Sequence, residues 1–387
     1  MSRRQRRVPY LSECASPRNL DCRRFGPFSQ RVAGARARCP KRVFDRAQRA
    51  RVIEKVSLRG VFTGYNSSMT QATAEKMKAV AIERFGGLDE LKTYELLKPE
   101  PKADEVLIRV RAAGVGVWDS AQRQGKLMQD SPHFPLVLGA ECSGDIERLG
   151  SNVSMLKVGE PVYTYFTGKQ GAYARYVAVK ATMVARKPTS LSYVDAAGVP
   201  VDGITAQQSV VDDLQVKAGE WFFVAGGAGG VGSMAVQIAA NIGAKVIASA
   251  KAEDFAMLES FGVTRERLID YTKSNVVEAV QKITGGKGAD AALDAVGGKD
   301  AKQTIEAVRE GGRFAELTGE NIPEQRGIKI THVESKPSAT RLDALRDLID
   351  AGKLKIHIGQ VFPLAQAREA QSAVERPHDG KIVLSVD

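Results

Sequence analysis

Residues 221–243 constrain the fold more than any other stretch. WFFVAG is a short, wholly apolar run, a glycine-rich turn follows it, and GSMAVQIAANIG reads as a helix closed by Gly243. The turn satisfies G-x-G-x-x-G at Gly227, Gly229 and Gly232, and also G-x-x-G-x-x-G starting at Gly226. Strand, glycine turn and helix in this order suit a pyrophosphate. No Cβ obstructs the turn, and the helix N-terminus offers free N–H groups and the positive end of its dipole. A lone G-x-G-x-x-G is weak evidence, but here it follows a strand, opens a helix and heads a series of strand–helix units. The candidate dinucleotide cradle is Gly226, Gly227, Ala228, Gly229, Gly230, Val231 and Gly232, against the alternative of a turn that is only structural.

The rest of the chain supplies the architecture. Downstream, AKVIASA (244–250), RLIDY (267–271), DAALDAV (290–296), GRFAEL (312–317) and IKITHV (328–333) alternate with helices around 253–261, near 275–284 and over 299–309. Continuously apolar strands between helices indicate a parallel sheet covered on both faces. Upstream, EVLIRVRAAGV (105–115), GDIERLG (144–150) and YARYVAV (173–179) alternate apolar with polar residues, as half-buried strands do, and Pro99, Pro101, Pro132 and Pro135 punctuate them. That half reads as an antiparallel, barrel-like β domain. The tail from about Leu342 reads as one helix and then a strand, GKIVLSV (380–386), expected to return to the first domain. The expected class is therefore α/β, with a β-barrel catalytic domain at 77–198 and 342–387 around a doubly wound Rossmann cofactor domain at 199–341.

Charge separates an arm from this body. Residues 1–68 carry 17 Lys and Arg, 15 of them Arg, against 4 Asp and Glu; that excess of +13 exceeds the +11 of the whole chain and leaves the remainder at −2. Residues 1–76 are read as a basic extension: a disordered or untranslated leader, with a second start at Met69, or an organelle transit peptide. Arg runs without interleaved aromatics attract phosphate without specificity, so no specific nucleic-acid partner is expected. Cys14, Cys22 and Cys39 lie in the arm at spacings that match no zinc pattern, and the body holds only Cys142, which fits a reducing compartment. A cytoplasmic location is expected, or a mitochondrial one if the arm is a transit peptide. Trp221 to Ala244 runs 24 residues without a charge, but its six glycines, Gln237 and Asn241 fit a buried strand, turn and helix rather than a membrane span.

The end of the second strand of the cofactor domain chooses the nucleotide. An acidic residue ~20 positions after the glycines would accept the ribose hydroxyls of NAD. Here that strand ends in Ser249, Ala250 and Lys251, and the first acids, Glu253 and Asp254, fall in the following helix. Without a carboxylate to repel it, a 2′-phosphate can pair with Lys251, so NADPH is expected. The alternative for Lys251 is a solvated charge at a helix start.

At this point the body, from about residue 77 to 387, resembles the medium-chain dehydrogenase/reductase superfamily, in its zinc-free quinone oxidoreductase (zeta-crystallin-like) branch. The likeness rests on AAGVGVWD (112–119), PLVLGAECSG (135–144), VGEPVY (158–163), GAYARYV (171–177), GAGGVGSMAVQIA (227–239) and GKIVL (380–384). The resemblance implies a GroES-like β domain with a Rossmann domain inserted, NADPH, a homodimer or homotetramer, and a substrate cleft between the domains. Zinc-dependent relatives place Cys and His where this chain has Gly116 and Ala140, and no cysteine lies near 191–210, so no metal is expected. His133, His332, His357 and His378 are scattered without ligand spacing.

Without a Lewis acid, the expected substrate is a quinone or an α,β-unsaturated carbonyl, which accepts hydride at an already activated carbon. Quinone reductases of this branch carry Asn where Gly116 stands, then Asp, then Tyr two residues later. This chain keeps Asp119 but has Ala121, so a potential amide donor and a potential phenol are missing from the pocket wall. Asp119 is the one catalytic candidate, with a structural role at a turn as its alternative. By resemblance Thr205 approaches the nicotinamide and Tyr271 lies near the 2′-phosphate. Tyr163 and Tyr173 are pocket aromatics or β-domain core, and Cys142 reads as a small buried hydrophobe. The expected function is NADPH-dependent, zinc-independent hydride transfer to a quinone or enone. The alternatives are an alkenal or enoyl-thioester reductase, and a non-catalytic NADPH-binding protein.

Overall fold

Strand β3 is the spine of the first domain. In the computed structural model, which describes residues 75–127, 132–168, 170–297 and 301–386, the first half holds β1 (Lys76–Ile82), β2 (Lys92–Leu97), β3 (Glu105–Val115), helix α1 (Val117–Arg123), β4 (Leu136–Val137), β5 (Glu141–Leu149), β6 (Pro161–Tyr165), β7 (Tyr176–Lys180) and β8 (Val184–Arg186). The basic arm and its cysteines lie outside the described residues, as does part of the 299–309 segment. β3 pairs antiparallel with β5 along most of its length and with β7 at its N-terminal half. Its interior positions Val106, Ile108, Val110 and Ala113 are buried with Ile146, Val162 and Val177 in one apolar core.

Helices α2 (Tyr193–Ala197) and α3 (Pro200–Gln207) lead into the second domain, α3 continuing as a π-helical stretch over Gln208–Asp213. There follow β9 (Trp221–Ala225), α4 (Gly230–Ile242), β10 (Lys245–Ala250), α5 (Phe255–Ser260), β11 (Leu268–Asp270), α6 (Val276–Ile283), β12 (Ala289–Asp294), α7 (Ala301–Thr304), β13 (Val308–Glu316) and β14 (Lys329–His332). These six strands form one parallel sheet in the order β11-β10-β9-β12-β13-β14. Both faces of β9 are used. Phe222 and Val224 pack with α3 and α4 residues such as Ile204 and Ala235, while Phe223 and Ala225 pack with Val280 and Phe314 on the opposite side. That two-sided burial is why β9 carries no polar alternation.

The uncharged run 221–244 is thus strand, turn and helix, with Gly243 closing α4 in the left-handed region at φ 91°. No helix among the described residues is long and apolar enough to cross a membrane.

The C-terminal tail is richer than one helix and one strand. It holds α8 (Ala339–Asp350), β15 (Ile358–Pro363), α9 (Ala367–Val374) and β16 (Lys381–Ser385). β16 pairs antiparallel with β3, so the chain does return to its first sheet, and β15 adds a parallel edge strand beside it. Sequence patterning misses β15 because IGQVFP lies on an exposed edge and need not alternate. It misses α9 because the buried stripe is Ala367, Ala370, Gln371 and Val374, small or polar residues with a weak apolar signal. The helix expected to 309 ends earlier, and strand β13 begins at Val308. The strand expected at 312–317 thus starts earlier, and β13 carries Gly311, at φ 64°, inside its irregular run.

Candidate active site

The glycine turn is held by its neighbours before any ligand is considered. The Gly227 N–H donates to the Ser249 carbonyl at 2.9 Å, tying the turn to the end of β10. Gly226 sits at φ 75°, where a side chain is strained. A Cβ on Gly232 would overlap the Gly226 carbonyl oxygen, so the first turn of α4 packs directly on the loop. Gly229 is different, since a Cβ there would meet only the Gly226 oxygen at 3.5 Å and otherwise point into open space. Gly229 is also the N-cap of α4, and no side chain caps that end. The leading N–H groups of a helix have no partner one turn back. An uncapped N-terminus under an open glycine is the shape a pyrophosphate needs, so the residues present fit a dinucleotide.

The far end of β10 supplies the second part of the cradle. Ser249 is buried, with its Oγ 3.4 Å from the Gly226 nitrogen. Lys251 reaches solvent and pairs with Glu253 at 3.3 Å, and Tyr271, half exposed just beyond β11, lies close enough to add to the field on its ammonium. Glu253, then Tyr271, holds the Lys251 ammonium above its ordinary range. Thr205 is buried on α3, and its hydroxyl donates to the Val201 carbonyl at 2.7 Å, which leaves only its oxygen lone pairs to meet a ligand.

Asp119 is fully buried. Its carboxylate accepts from the Gly116 N–H at 3.0 Å and from the Tyr173 hydroxyl at 2.9 Å, fastening the start of α1 to the β-domain core. Burial pushes its carboxyl up to about 6 against the pull of those hydrogen bonds. Tyr173 is equally buried and its hydroxyl is spent on Asp119, while the Tyr163 hydroxyl donates to the Leu342 carbonyl at 2.5 Å. Burial pushes the Cys142 thiol up, and it packs among apolar side chains.

Sequence reasoning did not anticipate the charged centre of the molecule. Lys381 on β16 lies 2.7 Å from Glu141 Oε1 on β5 and donates to Asp202 Oδ2 on α3 at 3.0 Å. All three are buried, and Glu141 Oε2 accepts from the Val201 N–H at 2.7 Å. Burial opposes the charge on Lys381, but Asp202 and Glu141 outweigh it and raise its pKa. Burial raises Glu141, with Lys381 pulling the other way. Asp202 in turn reaches the cofactor turn, because a Cβ on Gly230 would overlap its Oδ2. On the other side the Lys381 ammonium sits 4.5 Å from the centre of the Trp118 ring. One lysine therefore connects β16, β5, α3, the glycine turn and an aromatic ring. Glu141 and Lys381 stand inside recognisable sequence stretches, but nothing in those stretches announces their pairing.

Among the described residues no group of three or more His, Cys, Asp or Glu side chains could hold a metal ion. A β domain closed by its own C-terminal strand, a parallel-sheet domain with a nucleotide cradle, and side chains joining them define a two-domain pyridine-nucleotide oxidoreductase. Residues 102–189 match the alcohol dehydrogenase GroES-like domain family, and residues 265–384 match the family described as zinc-binding dehydrogenase. The chain is 32% identical over 332 residues to the chloroplastic NADPH-dependent alkenal/one oxidoreductase of Arabidopsis thaliana, covering 82% of each. It is 30% identical to a quinone oxidoreductase of Pseudomonas aeruginosa, covering 76% of this chain and 95% of that one. A solved structure titled as an NAD-dependent alcohol dehydrogenase superposes with TM-score 0.75 at 31% identity, over 80% of this chain and all of that one. The chain belongs to the medium-chain dehydrogenase/reductase superfamily and is of its zinc-free, quinone oxidoreductase-like kind.

Proposed function

We propose that this protein reduces quinones or α,β-unsaturated carbonyls with NADPH. The observation that carries the cofactor choice is the end of β10. There the strand closes on Ser249, Ala250 and Lys251 with Tyr271 beside it, and no carboxylate holds the ribose-facing position. A 2′-phosphate would take Lys251 from Glu253, whose side chain is mostly solvent-exposed and free to turn away. NADH is the second reading, favoured by that same Glu253, which could accept ribose hydroxyls if it stayed in place.

The reduced nicotinamide, when bound, supplies hydride from its C4. The chain's own work is then binding and orientation. The turn from Gly226 to Gly232 holds the pyrophosphate, Thr205 offers an acceptor oxygen along α3, and the Glu141–Lys381–Asp202 centre fixes β5 and β16 against the cofactor turn. Asp119 acts one layer deeper, as the group that sets the start of α1, rather than as a proton donor. The donor inventory suits an acceptor that is already conjugated, because Gly116 and Ala140 offer no ligand atoms with which to polarise a saturated carbonyl. Self-association as a dimer or tetramer is part of the same proposal, with β14 the terminal strand of the parallel sheet among the described residues, and light scattering on the purified protein tests it.

The test follows the label. NADPH deuterated at C4 is incubated with the protein and an enal, and in parallel with duroquinone. Deuterium at the β-carbon of a saturated aldehyde, or consumption of NADPH by the quinone, is the expected result. Deuterium at the former carbonyl carbon of an alcohol, or no consumption with either acceptor, would overturn the reading.

A further inference from the structure

We infer that Asp202 sets how tightly this protein holds its dinucleotide: the carboxylate is a resident negative charge at the head of α4, and it weakens the grip on the pyrophosphate so that spent cofactor leaves. The inference rests on the nucleotide-binding part of the reading above and adds to it a residue that governs release.

Position is the first part of the argument. Asp202 stands buried in the first turn of α3. A Cβ on Gly230 would overlap its Oδ2 and Cγ, so only a glycine lets the carboxylate this close to the first residue of α4. The open space of the cradle lies next door, over Gly229. Resident carboxylate and incoming pyrophosphate therefore meet the same uncapped helix end. The positive end of a helix dipole stabilises an anion held within its first turn. Asp202 already draws on that field, and a pyrophosphate adds like charge beside it.

Charge balance is the second part. The Lys381 ammonium lies 3.0 Å from Asp202 Oδ2, but it also lies 2.7 Å from Glu141 Oε1, and its field reaches Asp119 as well. No other Lys or Arg among the described residues pairs with Asp202 or Glu141. One ammonium thus answers several carboxylates and does not cancel Asp202 on its own. The centre is buried, so its excess negative charge is screened far less than a surface charge would be. A like charge at the mouth of the cradle raises the cost of holding an anion there. An enzyme that uses a dissociable nucleotide exchanges it in every cycle, and release rather than chemistry limits many such cycles. A carboxylate placed here favours that exchange.

Two variants test it. Asp202→Asn removes the charge and keeps an oxygen for Lys381, while Glu141→Gln removes the other carboxylate and leaves Lys381 to serve Asp202. Each folded protein is titrated calorimetrically with NADPH, NADH and adenosine 2′-monophosphate at about pH 8.5, above the value of about 7 to which burial raises Glu141. Asp202→Asn is expected to lower the Kd for NADPH and for NADH by about threefold or more, and to slow NADPH dissociation in stopped flow by a comparable factor. Adenosine 2′-monophosphate has no pyrophosphate, and its Kd is expected to stay within about twofold. Glu141→Gln is expected to tighten both dinucleotides as well. Damage to a fold weakens binding, so a gain in affinity is a result that a merely structural role does not give. A smaller change or weaker binding of both dinucleotides in Asp202→Asn would overturn the inference, and so would equal tightening of adenosine 2′-monophosphate. If Asp202→Asn does not fold, Glu141→Gln decides by the same criteria. A wild-type protein that binds the dinucleotides but reduces no acceptor would overturn the reductase reading and leave this inference standing.

Discussion

Lys251 and Asp119 show what a charged side chain does when it meets solvent and when it does not. Lys251 stays solvent-exposed with only Glu253 as its partner, so exchanging its charge should act on the ligand and not on the fold. Lys251→Glu is expected to weaken NADPH binding by at least about tenfold while changing NADH binding far less, since it removes one charge-assisted contact to the 2′-phosphate and adds one repulsion. Titration of the two cofactors into both proteins checks this, and equal losses would contradict it. Asp119 has the opposite fate. Its folded carboxyl titrates at about 6, above the ordinary aspartate value, so the folded state keeps a proton that the unfolded chain releases. Stability from this group is therefore largest at low pH and falls as pH rises through the window from about 4 to about 6. The total is at most about 3 kcal/mol at ~1.4 kcal/mol per pKa unit. Asp119→Asn should abolish that slope, and urea unfolding of both proteins across the window would show a constant difference if the account were wrong.

At the level of elements, the glycines of the cofactor turn separate fold from function. Gly232→Ala drives a methyl group into the Gly226 carbonyl, and should cost about 1–3 kcal/mol of stability as an overpacked contact does. Gly229→Ala has room, so it should leave the melting temperature nearly unchanged and still weaken NADPH binding by about tenfold, because the methyl group takes the space of the pyrophosphate. Thermal melts with and without cofactor distinguish the two, and parallel behaviour of the variants would remove the case for an open cradle. These elements were also the most legible ones. β9, the turn and α4 announce themselves because two-sided burial and tight packing leave few residue types possible. β3 is as clear, since the apolar pattern of EVLIRVRAAGV spans its full length. β15 and α9 were not legible, for an exposed edge and a stripe of alanines impose almost no pattern. The charged centre could not be read at all. Glu141, Asp202 and Lys381 come from three distant parts of the chain and meet only because β16 folds back onto β3.

Across the whole molecule, one buried ammonium joins the returning C-terminal strand to β5 and to the helix that carries the cofactor domain's first contacts. Lys381→Met would leave two carboxylates facing each other without a counter-charge, and should cost about 3–5 kcal/mol near neutral pH, as breaking a buried pair does. The deficit should shrink as pH falls, because protonating Glu141, whose pKa burial already raises, removes the uncompensated charge. A chemical denaturation series checks both statements, and a pH-independent deficit would point to lost packing alone.

The central claim joins a cofactor to an acceptor, and the most direct measurement takes both together. Steady-state rates are followed by the loss of reduced-nicotinamide absorbance for NADPH and NADH, each with duroquinone, an enal and the matching saturated aldehyde, before and after treatment with a metal chelator. The account predicts turnover of at least one conjugated acceptor, a clear preference for NADPH, no reduction of the saturated aldehyde and no effect of the chelator. Reduction of the saturated aldehyde that the chelator abolishes would contradict it.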